Sequence, residues 1–131
     1  MEEVLEYLRE CGTFYLATMD DDQPRVRPFG ALGIFEGKLY TSTSNVKNVF
    51  AQMIKNPKVE ISGMAKDGSW IRLTAIAVRD DRIEARQHLL EDNPSLKSLY
   101  AADDGKYEVF YLKNATAVIS SFTGQPKTIQ F

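Results

Sequence analysis

The chain has 131 residues, 44% of them hydrophobic, and a formal net charge of −2. This length predicts one domain over residues 1–131 with enough apolar residues for a core, and so small a domain favours a dimer. The charges are spread along the chain without a basic run, which argues against a nucleic-acid-binding surface. A single cysteine, Cys11, and a single histidine, His88, exclude an intrachain disulfide and a Cys/His zinc site within one chain.

The N-terminal segment is acidic and amphipathic. Residues 1–9 lack the pattern of a signal peptide, and no apolar run is long enough to span a bilayer. We therefore expect a cytoplasmic protein that binds neither a membrane nor nucleic acid. The apolar spacing predicts a short helix over residues 2–11, which ends at Gly12.

Short strands separated by hairpin-length turns make up most of the remaining chain. Pro28 and Gly30 interrupt the second strand, because proline cannot donate a hydrogen bond to a sheet ladder. The predicted strands are 14–19, 25–35, 39–42, 58–65, 70–78, 107–112 and 115–121. Asp80 or Asp81 is predicted to cap a helix that runs to about residue 91, and Pro94 opens a short third helix. About six strands with few helices predict a closed or partly closed antiparallel barrel, whose ligand would bind outside the filled interior in a dimer groove.

The segment LYTSTSNVKNVFAQMIKNP predicts a strand, a hydroxyl-rich turn and an amphipathic helix that ends at Asn56-Pro57. Its apolar residues recur at helical spacing: Val46, Val49, Phe50, Met53 and Ile54. Free N–H groups and the positive end of the helix dipole beside the turn and Lys47 indicate an anion site. The alternative interpretation is a surface helix capped by Ser44 or Asn45.

The segment RVRPFG, the hairpin to LYT, and Lys47 before a helix ending in NP together resemble the flavin-binding split-barrel family, the pyridoxamine 5'-phosphate oxidase-like proteins. The short bacterial members, of nitroimidazole-resistance and general-stress type, are the most similar. The resemblance implies a mainly β chain with short helices, a six-stranded antiparallel split barrel of the FMN-binding type, and a homodimer that holds FMN between its subunits. It also implies flavin contacts from Arg25, Val26, Arg27, Pro28, Tyr40 and Thr41. Lys47 matches the phosphate-binding lysine, with Thr43, Ser44 and Asn45 beside it.

Three departures from the family pattern bear on function. Val46 stands where longer oxidases have an arginine, which leaves Arg25 or Arg27 as the second cation. Trp70 stands where the oxidases tend to have a polar flavin contact, and is either core packing or a flavin-side contact. No arginine follows Arg86, although the true oxidases hold the substrate phosphate with basic residues in that region. Oxidation of pyridoxamine 5'-phosphate is therefore disfavoured.

The sequence shows no constellation of acid, base and nucleophile, as expected if a flavin carries the chemistry. The absence of GxGxxG excludes the Rossmann route to a dinucleotide and suits a mononucleotide. The leading hypothesis is an FMN-dependent oxidoreductase acting on a small aromatic or nitro compound, with no catalytic residue identified and no metal. The alternative is a stress or sensor protein without turnover that binds flavin, haem or a deazaflavin.

Overall fold

A computed structural model describes all residues from 1 to 131, which fold into a mainly antiparallel sheet with short helices. A 3₁₀ helix spans Pro94–Ser98. The other elements, in chain order, are α1 (Glu2–Cys11), β1 (Phe14–Asp20), β2 (Gln23–Phe29), β3 (Gly33–Phe35), β4 (Lys38–Ser44), α2 (Asn48–Lys55), β5 (Lys58–Met64), β6 (Trp70–Asp80), α3 (Ile83–Asp92), β7 (Tyr107–Ser120) and β8 (Lys127–Gln130). None of the helices is long and apolar enough to cross a membrane.

The sheet curls upon itself because its two edge strands are neighbours in the chain. The strand order is β2-β1-β5-β6-β7-β4-β3, with β8 beside β7. A flat sheet would place β2 and β3 about 29 Å apart, at about 4.8 Å per strand. Only residues 30–32 connect the two strands, and so short a link reaches about 15 Å at most. Residues 30–32 therefore join the two edges of the curled sheet, β2 and β3, which do not pair with each other.

The curled sheet buries apolar side chains on its inner face and supports a second cluster on the other side. Leu16, Ile61, Leu73 and Phe110 alternate with outward residues along their strands and are fully buried together with apolar residues of α1 and α2. The second cluster lies between β4, β7 and α3, and contains Tyr40, Ala85, Leu89, Leu90, Tyr107 and Val109. This cluster attaches α3, and the 3₁₀ helix after it, to the outside of the sheet.

Positive φ angles mark a hairpin turn and a bulge in the sheet. Glu36 and Gly37 both have positive φ angles, 50° and 74°, which suits the two-residue turn of the β3–β4 hairpin. Asn114 also has a positive φ, 52°, and lies opposite a register shift between Thr74 and Ile76. Asparagine tolerates this conformation, so the site is a bulge within one continuous strand.

The sheet has eight strands, so the prediction of six is wrong, whereas the mainly β antiparallel class with short helices is confirmed. The predicted strand 25–35 is two strands, β2 and β3, and the predicted pair 107–112 and 115–121 is the single strand β7. The sequence pattern missed β8.

Helix α2 begins later than predicted. Its N-cap residue is Lys47, without a side-chain cap, so neither Ser44 nor Asn45 caps it. Val46 lies before the helix and is exposed, as is Ile54, and the buried helix face is Val49 and Met53. Helix α3 likewise starts at Ile83 rather than directly after Asp80 or Asp81, because Asp80 is the last residue of β6.

Candidate ligand-binding cleft

A cleft of about 360 Å³ lies where β2, the 30–32 link, the end of β4 and the start of α2 meet the segment after α3. Its volume is within the usual range for small-molecule sites. The lining residues are Arg27, Pro28, Phe29, Gly30, Ala31, Ser42, Thr43, Lys47, Val49, Asn93, Ser95, Leu96 and Tyr100. No carboxylate lines the cleft, and two cations do, so it favours an anionic ligand.

Arg27 is a half-buried cation held only by neutral groups. Its guanidinium donates to Thr18 Oγ1 at 2.7 Å, to Gln52 Oε1 at 2.7 Å and to the Leu16 carbonyl at 3.1 Å. Burial lowers the pKa of Arg27, and nearby Arg25 acts in the same direction. Because no carboxylate compensates its charge, Arg27 can stabilise a bound anion at this site.

Lys47 lies at the N-terminus of α2, and its side-chain amine has no hydrogen bond or ion pair. The first turn of α2 contains no acidic residue and no side-chain cap. The backbone N–H groups of Asn48 and Val49 donate no hydrogen bond within the chain. A free lysine, unpaired N–H groups and the positive helix dipole together form an anion site beside Arg27.

Further unpaired hydrogen-bond donors line the same cleft. The Ser42 and Thr43 hydroxyls make no hydrogen bond within the chain, and neither do the backbone N–H groups of Gly30 and Ala31. The 30–32 link that carries these N–H groups is fixed, because Thr41 Oγ1 donates to the Ala31 carbonyl at 2.9 Å and the Asn93 amide donates to the Leu32 carbonyl at 2.9 Å. The cleft thus presents rigid, unused donors.

A groove with Arg25 and Val26 in its lining continues from the cleft and shares Arg27, Lys47 and Val49 with it. Arg25 forms an exposed ion pair with Asp20 at 3.2 Å, so it is less available than Arg27 as a second cation. The structure therefore brings together six of the predicted site residues: Arg25, Val26, Arg27, Pro28, Thr43 and Lys47.

The remaining predicted residues lie outside the cleft lining. Tyr40 is buried, and its hydroxyl donates to Asp80 Oδ2 at 2.7 Å; Thr41 is buried below the 30–32 link. Ser44 accepts a hydrogen bond from the Val46 backbone N–H, at 3.4 Å.

Asn45 and Trp70 lie in other surroundings. The Asn45 amide donates to Glu108 Oε2 at 3.0 Å and to the Gly105 carbonyl at 2.9 Å. The Trp70 ring packs against Phe122 in a tilted arrangement with ring centroids 5.0 Å apart, on another part of the surface.

Sequence reasoning missed several residues of the cleft. Ser42 lay within the predicted strand but was passed over between Thr41 and Thr43. Gln52, which lines the neighbouring groove, was not among the predicted site residues, although its Oε1 accepts a hydrogen bond from Arg27. Asn93 and Tyr100 come from the segment after α3, which no local pattern connects to β2.

His88 lies apart from the cleft. Its Nε2 is 3.2 Å from Asp92 Oδ2, and its ring stacks on Phe35 with centroids 4.9 Å apart. No group of three or more His, Cys, Asp or Glu side chains is arranged to hold a metal ion.

Comparisons with known proteins agree with this architecture. The chain is 53% identical to a NimC/NimA family protein from Clostridium acetobutylicum, with a TM-score of 0.98 over 100% of this chain and 92% of that chain. Two more distant structures share the fold. General stress protein 26 from Bacillus anthracis is 19% identical, with a TM-score of 0.77 over 99% of this chain and 97% of that chain. A haem-binding protein from Mycobacterium smegmatis is 18% identical, with a TM-score of 0.77 over 98% of this chain and 57% of that chain.

A search of curated proteins found no match. The family model described as pyridoxamine 5'-phosphate oxidase matches residues 1–123, almost the whole chain. Together with the close structural relative, this match confirms the resemblance that the RVRPFG strand and the Lys47 turn indicated. The chain belongs to the pyridoxamine 5'-phosphate oxidase family.

Proposed function

We propose that the chain binds FMN in the cleft, with the phosphate at the N-terminus of α2. The observation that carries this proposal is the pair of cations, Arg27 and Lys47, that face the cleft without any carboxylate partner. A half-buried guanidinium with neutral partners is unfavourable alone and becomes favourable when an anion binds. The unpaired N–H groups of α2 add further donors for phosphate oxygens.

The residues present fit a mononucleotide better than a dinucleotide. Two cations and one helix N-terminus match one phosphate group, and no glycine-rich turn is available for a pyrophosphate. The unpaired N–H groups of Gly30 and Ala31 and the side chains of Leu96 and Tyr100 offer hydrogen bonds and apolar contact to the uncharged part of the ligand. When bound, a flavin supplies hydride or electron transfer, and the chain supplies position and electrostatics.

The activity proposed is that of an oxidoreductase acting on a small aromatic or nitro compound. The similarity to a NimC/NimA family protein supports this choice. The chain's own contribution is to bind and orient, because no His, Cys, Asp or Glu side chain lines the cleft.

The assembly proposed is a homodimer with the flavin at the interface. An outer face of the sheet, defined by Tyr15, Val26, Met64, Trp70 and Phe122, leaves large apolar side chains exposed; Phe122 is 92% and Met64 63% exposed. A contiguous apolar patch of this kind marks an interaction surface, and a two-fold dimer pairs such a patch with itself. Val26 lies on this face and in the groove beside the cleft, so the interface would reach the site.

Haem is the alternative ligand suggested by the fold of the haem-binding relative from Mycobacterium smegmatis. Of the usual haem-iron ligands, only a tyrosine, Tyr100, lines the cleft, and His88 is held elsewhere by Asp92. The cationic, phosphate-sized end of the cleft therefore favours FMN.

The test is a visible spectrum of the purified protein followed by titration of the ligand-free protein with FMN, FAD and haem. Flavin bands at about 375 and about 450 nm and tighter binding of FMN than of FAD are the expected results. FAD binding as tight as FMN binding would contradict the single-phosphate assignment. A haem spectrum without flavin binding would replace the proposed cofactor.

A further inference from the structure

One buried polar side-chain atom in the chain has no hydrogen-bond partner, the hydroxyl of Tyr107. Tyr107 begins β7 and is only 2% exposed. Burial raises the pKa of Tyr107 to about 12, although the nearby Ser42 hydroxyl lowers this pKa to a smaller extent. The phenol therefore stays protonated. Buried polar groups are normally paired, so an orphan of this kind calls for a physical explanation.

The orphaned hydroxyl lies behind the cleft. The strand pairing of Ser44 with Tyr107 and of Ser42 with Val109 puts Ser42 and Tyr107 on the same face of the sheet. Ser42 lines the cleft, and its hydroxyl is close to that of Tyr107 without being in hydrogen-bond geometry. The ring of Tyr100, which also lines the cleft, stacks on the Tyr107 ring with centroids 5.2 Å apart.

The buried Tyr107 hydroxyl is thus unsatisfied behind the cleft floor, and the Ser42 hydroxyl beside it lines the cleft. Leu89, Leu90 and Val109 belong to the buried cluster that contains Tyr107. A small change in the χ1 angle of Ser42 moves its oxygen into line with the phenol, and the Ser42 hydroxyl hydrogen rotates about the C–O bond to reach an acceptor in the cleft. Leaving a buried hydroxyl unpaired is unfavourable, and ligand binding can recover this free energy if it aligns Ser42 with Tyr107.

We propose that Tyr107 and Ser42 form a hydroxyl relay that holds an uncharged oxygen of the ligand in the cleft. Tyr107 donates to Ser42 Oγ, and Ser42 donates to the ligand. The acceptor is a ribityl hydroxyl or a ring carbonyl rather than a phosphate oxygen, because the apolar surroundings of Tyr107 disfavour a dianion and both cleft cations lie at the α2 end. Tyr107 is a positioning residue that acts through Ser42. This inference rests on the proposed function.

The experiment compares Tyr107→Phe with Tyr111→Phe, the same change on the same strand outside the cleft. Unfolding midpoints are measured without ligand, and dissociation constants for FMN and riboflavin are measured by flavin fluorescence. Tyr107→Phe should not lower the midpoint, since the lost hydroxyl has no partner in the free protein. It should weaken FMN and riboflavin equally, by about five- to tenfold, the scale of one hydrogen bond. Tyr111→Phe should change neither affinity.

Ser42→Ala separates a relay from independent contacts. It should weaken both ligands at least as much as Tyr107→Phe, and adding Tyr107→Phe to it should cause no further loss. Unchanged affinity in Tyr107→Phe, additive losses in the double variant, or a loss confined to FMN would each overturn the relay, while leaving the proposed cofactor intact. If the unaltered protein binds no flavin at all, the proposed function fails and the relay with it.

Discussion

At the scale of single residues, Arg27 shows how the site gains its preference for anions. Three neutral acceptors fix its guanidinium beside Lys47. Because these partners are neutral, they orient the guanidinium without cancelling its charge, and the electrostatic potential in the cleft stays positive. The free amine of Lys47 adds a second charge that no acidic residue of α2 offsets.

Replacing Lys47 by Ala should weaken FMN binding by about 1.5 to 3 kcal/mol, the value of a hydrogen bond to a charged group. Riboflavin, which has no phosphate, should bind as before. Lys55→Ala is the matched control, because Lys55 lies at the far end of the same helix and pairs with Asp21. An unchanged FMN dissociation constant in Lys47→Ala, measured by fluorescence titration, would move the phosphate elsewhere.

Asp80 is the residue whose charge most clearly supports the fold. Its carboxylate accepts hydrogen bonds from Arg82 Nη2 at 2.9 Å and Tyr40 Oη at 2.7 Å. The Arg82 hydrogen bond is the main cause that lowers the pKa of Asp80 to about 2. Because the pKa of Asp80 is lower in the folded chain than in the unfolded chain, the ionised carboxylate stabilises the folded state above about pH 4. This stabilisation is lost as the pH falls through about 2.

Asp80→Asn should therefore lower the free energy of unfolding at pH 7 by about 1 to 2 kcal/mol, a value reduced by solvent screening at the half-exposed Arg82. The difference from the unaltered protein should shrink between pH 4 and pH 2. Asp22→Asn, at an exposed carboxyl without a hydrogen bond, serves as the control. Urea unfolding across this pH range gives the measurement, and a constant difference would show that the Asp80 charge is not responsible.

At the scale of elements, the sequence pattern predicted the helices and strands that are stabilised by residues close to them in the chain. Helix α1 was predicted over residues 2–11, as found, because its amphipathic spacing and the following glycine act within a few residues. Strand β8 was missed because KTIQ is short and polar, and pairing with β7 at Ala117↔Ile129 forms it. Strand β7 was divided because Lys113-Asn114 resembles a turn, yet β6 pairs on both sides of that point and keeps it continuous.

The approach of α3 to β3 gives a prediction at this scale. A Cβ at Gly33 would lie 2.8 Å from Asp92 Oδ2 and 3.1 Å from Leu89 Cδ1. Asp92 is exposed and can move, but Leu89 is fully buried and cannot. Gly33→Ala should therefore destabilise the fold by about 1 to 2 kcal/mol through overpacking. Gly30→Ala, at an exposed position where an added Cβ would meet no atom within 4 Å, is the control, and equal denaturation midpoints for both variants would contradict the packing argument.

At the scale of the whole molecule, the apolar side chains of the outer face are exposed in the single chain, and burial in a dimer would explain them. We expect a dimer at micromolar concentration in sedimentation experiments, and Met64→Arg should shift it towards monomer by placing a charge in the interface. Leu99→Arg is the control, since Leu99 is also exposed but lies outside this face. A monomer that retains flavin at micromolar concentration would rule out a site shared between subunits.

The number of cationic side chains in the cleft predicts which substrates the protein can use. Arg27 and Lys47 are its only cations, and we propose that both hold the cofactor phosphate. A second phosphate, on a substrate, would therefore be poorly held. With an external electron donor, the FMN-loaded protein should reduce a small nitroaromatic, and pyridoxamine 5'-phosphate should not reduce the flavin at a comparable rate. Saturating stopped-flow reduction by micromolar pyridoxamine 5'-phosphate would contradict this, and no reduction by any donor would favour a protein without turnover.

The sequence by itself determined the features that depend on neighbouring residues: the alternating strands, the hairpin turns, the helix before Asn56-Pro57, and the Arg-containing strand and lysine turn that identify the family. Tertiary structure alone decided which side chains meet. The pairing of β4 with β7 places Tyr107 beside Ser42, and the packing of α3 brings Asn93 and Tyr100 to a cleft that begins at Arg27. These contacts join residues about 60 to 70 positions apart, and their partners are selected by sheet register and burial, which no local periodicity encodes.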